Sequence, residues 1–220
     1  MGEAGERRVG WPTLEEAKTE ALACTKCRLA GGRTQVVWMD GNPDADLLFV
    51  GEAPGFHEDR QGRPFVGAAG QLLDTMLASV GLDRTTCAIA NVIKCRPPGN
   101  RDPMPDEIAA CRPYLEAQIH FMAPTVIVTL GNFATRFVLD RQVSISRVRG
   151  QRFSALGAVV IPTFHPAAVL HGGGQASPQM QALRSDFALI RQVLDEQKAS
   201  PLPPEAPRVV EERVEQQSLF

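Results

Sequence analysis

Four short and nearly uninterrupted apolar runs constrain this chain more than any other feature: Asp46 to Gly51 with Leu47-Leu48-Phe49-Val50 at its heart, Cys87 to Ile93, Thr125 to Leu130, and Gly157 to Thr163. Runs of this length without polar alternation read as strands buried on both faces. Between them lie segments with helical spacing. Gly70 to Leu82 carries Leu72, Leu73, Met76, Leu77 and Val80, and a helix opening at Pro105-Asp106-Glu107 repeats Ile108, Cys111, Leu115 and Ile119 on one face. Asn132 caps a short helix to Leu139, and a last helix from Pro178 to Gln197 carries Met180, Leu183, Phe187, Ile190 and Leu194. Strands alternating with helices predict an α/β fold with a central parallel four-stranded sheet flanked by helices. Such sheets bind ligands in the loops beyond the C-terminal strand ends.

The 220 residues suit one domain, expected over 1–198, followed by a flexible tether over 199–220 that is rich in Pro and Glu. Lys and Arg total 23 against 25 Asp and Glu, so no global positive field announces a polyanionic partner, although a local basic cleft is compatible with this balance. No apolar stretch approaches the ~20 residues that cross a bilayer, and the polar N-terminus is unlike a secretory signal; the expected location is the cytoplasm, with no membrane partner. In that reducing compartment five cysteines point to metal ligation rather than disulfides.

Cys24 and Cys27 form a C-x2-C pair, and Cys95 and Cys111 stand beside a strand end and within a helix. Four thiolates in these settings suit a zinc ion or a [4Fe–4S] cluster, and ligand type alone does not separate the two. The plainer alternative treats the pair as incidental and the others as small buried hydrophobes. Cys87, in mid-strand, keeps that plainer reading.

The strand ends carry Gly51-Glu52-Ala53-Pro54-Gly55 with Glu58-Asp59, then Asn91-Val92-Ile93-Lys94-Cys95-Arg96-Pro97-Pro98, and His165-Pro166-Ala167, while Gly62-Arg63-Pro64-Phe65-Val66-Gly67 with Ala69-Gly70 lies between the first two. Taken in order with the cysteines, these motifs resemble the iron–sulfur-containing family 4 uracil-DNA glycosylases over roughly Leu22 to Leu194. The resemblance implies a monomeric enzyme of uracil-DNA glycosylase-like fold that excises uracil from DNA, with a structural [4Fe–4S] cluster on Cys24, Cys27, Cys95 and Cys111.

The residues make chemical sense in those terms. A glycosylase must lift the nucleotide out of the stack, read its Watson–Crick edge and hold the ring against an apolar surface. Phe65 is the candidate stacking face. The Asn91 carboxamide can accept from N3–H and donate to O4 of uracil, a pattern that cytosine reverses. His165 can donate to O2 as negative charge develops on the departing base. Core filling, turn formation and a structural histidine are the plainer roles for these three. More familiar relatives carry an aspartate where this chain has Ala53 and a tyrosine where it has Gly55, so water and thymine exclusion are expected to fall to Glu52 and Glu58. Glu58 is assigned to the pocket wall and Glu52 to the loop or water, with the two roles exchangeable.

Lys94, Arg96 and Arg101 are the expected DNA contacts beside the second strand. After the His-Pro motif, Leu170 is the expected wedge and His171 stands where the family often bears an arginine. The final Gln216-Gln217-Ser218-Leu219-Phe220 looks like a bacterial sliding-clamp-binding motif, with Gln216, Leu219 and Phe220 as its anchors. A uracil-trapping relative and a non-catalytic DNA-binding adaptor are the competing readings. The trapping proteins carry an added basic, histidine-containing loop that is absent between Pro98 and Pro105.

Overall fold

The computed structural model describes residues 10–173 and 176–199. In chain order the elements are α1 (Leu14–Leu22), β1 (Asp40–Gly41), β2 (Leu47–Gly51), α2 (Phe56–Gln61), α3 (Ala68–Ser79), β3 (Ala88–Asn91) and α4 (Pro105–Met122). They continue with β4 (Val126–Leu130), α5 (Gly131–Leu139), α6 (Ile145–Val148), β5 (Phe153–Ala155), β6 (Ala158–Thr163), α7 (Pro166–His171) and α8 (Pro178–Ala199).

The four expected strands are parallel neighbours, β3, β2, β4 and β6, with Gly51 beside Asn91 and Leu130 beside Thr163 in register. The sheet is nevertheless six-stranded, in the order β1-β3-β2-β4-β6-β5. The two additions are antiparallel edges of two and three residues, too short to leave a periodic apolar signature.

Alternation along each strand feeds two separate cores. Leu48, Val50, Ala88, Ala90, Ile127 and Val160 face Ala17 and Ala21 of α1, Tyr114 and Leu115 of α4, and Ala134 of α5. Leu47, Phe49, Ile89, Val128 and Ile161 face Leu73 and Leu77 of α3 and Leu183, Phe187 and Ile190 of α8. Because both faces are covered, the sheet's polar chemistry is confined to its ends.

Cys24, Cys27, Cys95 and Cys111 line one small cavity of about 10 Å³ together with Arg33, Lys94 and Tyr114. The Lys94 backbone N–H donates to Cys111 Sγ at 3.2 Å, and Arg33 Nη1 approaches Cys95 Sγ at 3.5 Å. Burial pushes the Cys111 thiol up to about 11 and raises that of Cys95. Among the described residues no group of three or more His, Cys, Asp or Glu side chains is arranged to hold a metal ion. The expected [4Fe–4S] centre is therefore corrected to a thiol-lined cavity, and no iron–sulfur or other metal-binding role is assigned to it. Cys87 lies apart, its Sγ donating to the Asp83 carbonyl at 3.2 Å.

One buried polar knot fixes α8 to the end of β6. Asp186, 2% exposed, accepts from Arg149 Nε at 2.9 Å and from Arg149 Nη2, and takes a third bond from Thr163 Oγ1 at 2.6 Å. Burial raises the Asp186 carboxyl's pKa, and Thr163 and Arg149 oppose that shift. Arg149→Met strands this carboxylate. Urea unfolding is expected to show a loss near the low end of ~3–5 kcal/mol, since the guanidinium is 24% exposed. Thr163→Val is expected to cost less, about 1–3 kcal/mol.

Candidate active site

The loops beyond β2, β3 and β6, with the segment between α2 and α3, form an open cavity of about 380 Å³ lined by Glu52, Ala53, Gly55, Glu58, Phe65, Asn91, Arg101, His165 and His171. The candidates read from separate motifs thus share one space.

Phe65 is seated by missing side chains. Its backbone has φ 56°, its ring is 5% exposed, and it stacks on His165 with centroids 5.5 Å apart and planes at 28°. A Cβ on Gly51 would lie 2.6 Å from the ring, and one on Gly70 would lie 1.7 Å from the Phe65 carbonyl oxygen. That oxygen accepts from Arg84 Nη2 at 2.5 Å, while Arg84 itself pairs with Asp40 at 2.6 Å and Asp74 at 2.8 Å. Arg84 lies outside every motif in the sequence, and only the folded chain brings it to the Phe65 loop.

Asn91 closes β3, 2% exposed, and its Oδ1 is buried without a hydrogen-bond partner. A Cβ on Gly51 would come within 2.5 Å of that oxygen, so the same glycine admits both the amide and the ring. The Asn91 carbonyl accepts from Lys94 Nζ at 2.7 Å, and Lys94 also donates to Gln118 Oε1 at 2.6 Å. Lys94 is 1% exposed, and burial lowers its ammonium to about 8. Its expected contact with DNA is corrected accordingly: the ammonium is turned inward, under Asn91, away from any phosphate.

His165 caps α7, its Nδ1 accepting from the Ala167 N–H at 3.2 Å. An accepting Nδ1 puts the ring proton on Nε2, the tautomer inferred from this bond. Burial lowers its pKa to about 4 against the opposing charge of Glu58, so the neutral imidazole is the donor at ordinary pH.

The two glutamates separate by environment. Glu58 Oε1 accepts from the N–H groups of Val66 at 2.8 Å and Gly67 at 2.9 Å, locking the Phe65 loop. Its Oε2 lies 2.8 Å from where a Gly55 Cβ would stand, so the carboxylate occupies the space a larger residue 55 would fill. Neighbouring Asp59 turns the other way and accepts from the Thr34 N–H at 2.9 Å. Glu52 is raised to about 7, by burial first and by the charge of Asp102 second.

Of the remaining expected DNA contacts, Arg101 is bound bidentately to buried Glu107 at 2.9 and 2.6 Å, which commits its guanidinium to anchoring the loop before α4. Arg96 donates from Nε to Asn100 Oδ1 at 2.7 Å. Leu170 is 38% exposed, and His171 is exposed at the cavity rim.

An apolar ring, a buried carboxamide with an unpartnered oxygen and a neutral imidazole gather beyond parallel strand ends, and the sequence model of the Uracil DNA glycosylase superfamily matches residues 38–188. The chain is 45% identical over 191 residues to the type-4 uracil-DNA glycosylase of Sulfurisphaera tokodaii, covering 82% of this chain and 84% of that protein. It is 44% identical to the type-4 enzyme of Archaeoglobus fulgidus, covering 81% and 92%, and 52% identical to that of Thermotoga maritima over 71% and 83%. The chain belongs to the type-4 uracil-DNA glycosylases of this superfamily and is an enzyme.

Nitrogen-detected NMR of the imidazoles is expected to show His165 neutral, protonated at Nε2, down to about pH 4. A His165 titration near the ordinary histidine value of ~6.5 would show that this half-buried ring is not desolvated enough to lower its pKa. Arg84→Gln frees the Phe65 carbonyl and is expected to lower substrate affinity by several-fold, about 1 kcal/mol, as measured by single-turnover titration.

Proposed function

We propose that this pocket takes a uracil nucleotide extruded from DNA and hydrolyses its N-glycosidic bond, leaving an abasic site. The carrying observation is the Asn91 side chain, which lines the cavity beside the Phe65 ring and whose buried Oδ1 has no hydrogen-bond partner. An orphaned acceptor of this kind costs ~1–3 kcal/mol, and the N3–H of uracil would satisfy it while the Asn91 amide donates to O4. Cytosine offers an acceptor at N3 and leaves the cost in place. Phe65 supports the ring face, and Glu58 stands as the wall at the 5-position in the space that Gly55 leaves open.

The bond breaks between C1′ and N1, and the electron pair leaves with the base. His165 Nε2–H donates to O2 as charge accumulates there, which stabilises the departing anion more than the bound nucleotide. A water adds to the electron-poor C1′ and loses a proton toward Glu52, and the released uracil anion is then protonated from solvent. Such an oxocarbenium-like centre needs only a weak nucleophile, so one carboxylate of raised pKa is sufficient where Ala53 supplies none.

No helix among the described residues is long and apolar enough to cross a membrane. A cytoplasmic location agrees with five unpaired cysteines. The Gln216, Leu219 and Phe220 motif lies outside the described residues. Docking of this end on a sliding clamp, and a monomeric state, are proposals supported by sequence alone.

Release of uracil from a uracil-containing oligonucleotide, with the strand left intact until alkali, tests the reading; binding without release would favour an adaptor, and a stable adduct a trapping protein. His165→Ala is expected to lower the single-turnover rate by about 10²–10³ with a smaller change in DNA affinity. As Glu52 ionises, the rate is expected to rise through about pH 7 and then level, and Glu52→Gln should flatten and lower that profile. A wild-type rate that does not change across that range would remove Glu52 as the proton acceptor.

A further inference from the structure

Phe56 has no place in the chemistry above, yet it opens α2 immediately after Gly55 of the pocket and is 46% exposed. Two guanidinium groups approach its ring, with Arg96 Cζ 5.1 Å and Arg60 Cζ 5.6 Å from the centroid. The two arginines come from different places: Arg60 lies one turn further along α2, and Arg96 lies beyond β3. Arg96 is steadied by Asn100, which also lines the catalytic cavity. His57 meets the ring edge-on at 5.4 Å and 83°.

Charge sets this cluster apart from an ordinary surface aromatic. Among the described residues neither Arg60 nor Arg96 enters an ion pair, whereas Arg63, Arg84 and Arg101 nearby are all bound to carboxylates. Two unneutralised cations around an exposed ring suit a ligand that is both anionic and flat. A nucleotide is such a ligand, since its base stacks on an aromatic face and its phosphate takes a guanidinium. Beside the pocket that holds the extruded base, that ligand is the next nucleotide of the same strand.

We propose that Phe56, Arg60 and Arg96 form a docking platform for the nucleotide adjoining the uracil, with its base unstacked onto Phe56 and its phosphate between the arginines. The proposal rests on the uracil-excising reading of the pocket. It makes the enzyme sensitive to a neighbouring base that the catalytic residues never touch, and it favours substrates whose flanking base is unpaired. The platform is specific to nucleic acid because an acidic peptide would satisfy the arginines and leave the ring without a stacked partner.

The test is single-turnover excision from single-stranded oligonucleotides holding one uracil, in which the flanking base on the 5′ or the 3′ side is replaced by an abasic spacer. For the wild-type protein, deleting the base on one of the two sides is expected to raise the half-saturating concentration by about 5- to 150-fold, the size of one base stacked on an aromatic ring. In Phe56→Ala the same deletion should have almost no further effect, and Phe56→Trp should restore the wild-type pattern. Arg60→Gln and Arg96→Gln should each reduce the salt dependence of binding by roughly 0.7 in log–log slope. Phe56 is exposed, so thermal unfolding of Phe56→Ala should match the wild type. Equal sensitivity to the spacer in wild type and Phe56→Ala, or a Phe56→Ala defect confined to the saturating rate, would overturn the platform while leaving uracil excision intact. Failure of the wild type to release uracil from any of these strands would instead overturn the pocket reading beneath it.

Discussion

The Phe65 ring lies where two glycines leave room for it, and most of the active site depends on that contact. Gly51 ends β2 directly under the ring and under the Asn91 amide, and a side chain there would lie 2.6 Å from one and 2.5 Å from the other. Gly70 lets the start of α3 close on the Phe65 backbone. Glu58 and Arg84 then hold the segment from its two sides, one by accepting the N–H groups of Val66 and Gly67, the other by donating to the carbonyls of Pro64 and Phe65. With Phe65 at positive φ, this backbone has little intrinsic reason to adopt its shape, and the surrounding bonds have to impose it.

Burial supplies the chemistry as well as the shape. It lowers His165 to about 4, leaving the imidazole neutral, and raises Glu52 to about 7, near physiological pH. It also leaves Asn91 Oδ1 without a partner, while Lys94 and Gln118 fix the main chain on which that amide stands. A carboxamide mounted on a rigid strand end keeps its orientation through base binding, so the cost of its desolvation is met before the substrate arrives.

The parallel core was legible because its signal is local: runs such as Leu47 to Val50 are buried on both faces and so contain no polar residues. Asn91 and His165 were legible as polar residues at strand ends and Phe65 as a bulky ring in a Gly- and Pro-rich segment, and the three share one cavity. The edge strands and the short helices α2, α6 and α7 were too brief for periodicity to register. Lys94 misled because a lysine between apolar residues and a Cys-Arg-Pro segment gives no sign of pointing inward, and only α4, which brings Gln118 across, provides its partner. Arg101 differs: it is paired to Glu107 yet stays a third exposed and lines the cavity. The cysteines show the limit of spacing arguments: the four come together in one cavity, but no metal-holding group forms among the described residues.

In the proposed reaction the Asn91 carboxamide reads uracil as a unit, its unpartnered oxygen accepting from N3–H and its nitrogen donating to O4. The most direct test is Asn91→Asp, assayed by single-turnover excision on two oligonucleotides that differ only in U or C. Excision of uracil is expected to fall about 5- to 150-fold, because a carboxylate replaces the donor to O4 at a cost of ~1–3 kcal/mol. An unchanged uracil rate in Asn91→Asp, with the cytosine strand still untouched, would show that base identity is read elsewhere in the pocket.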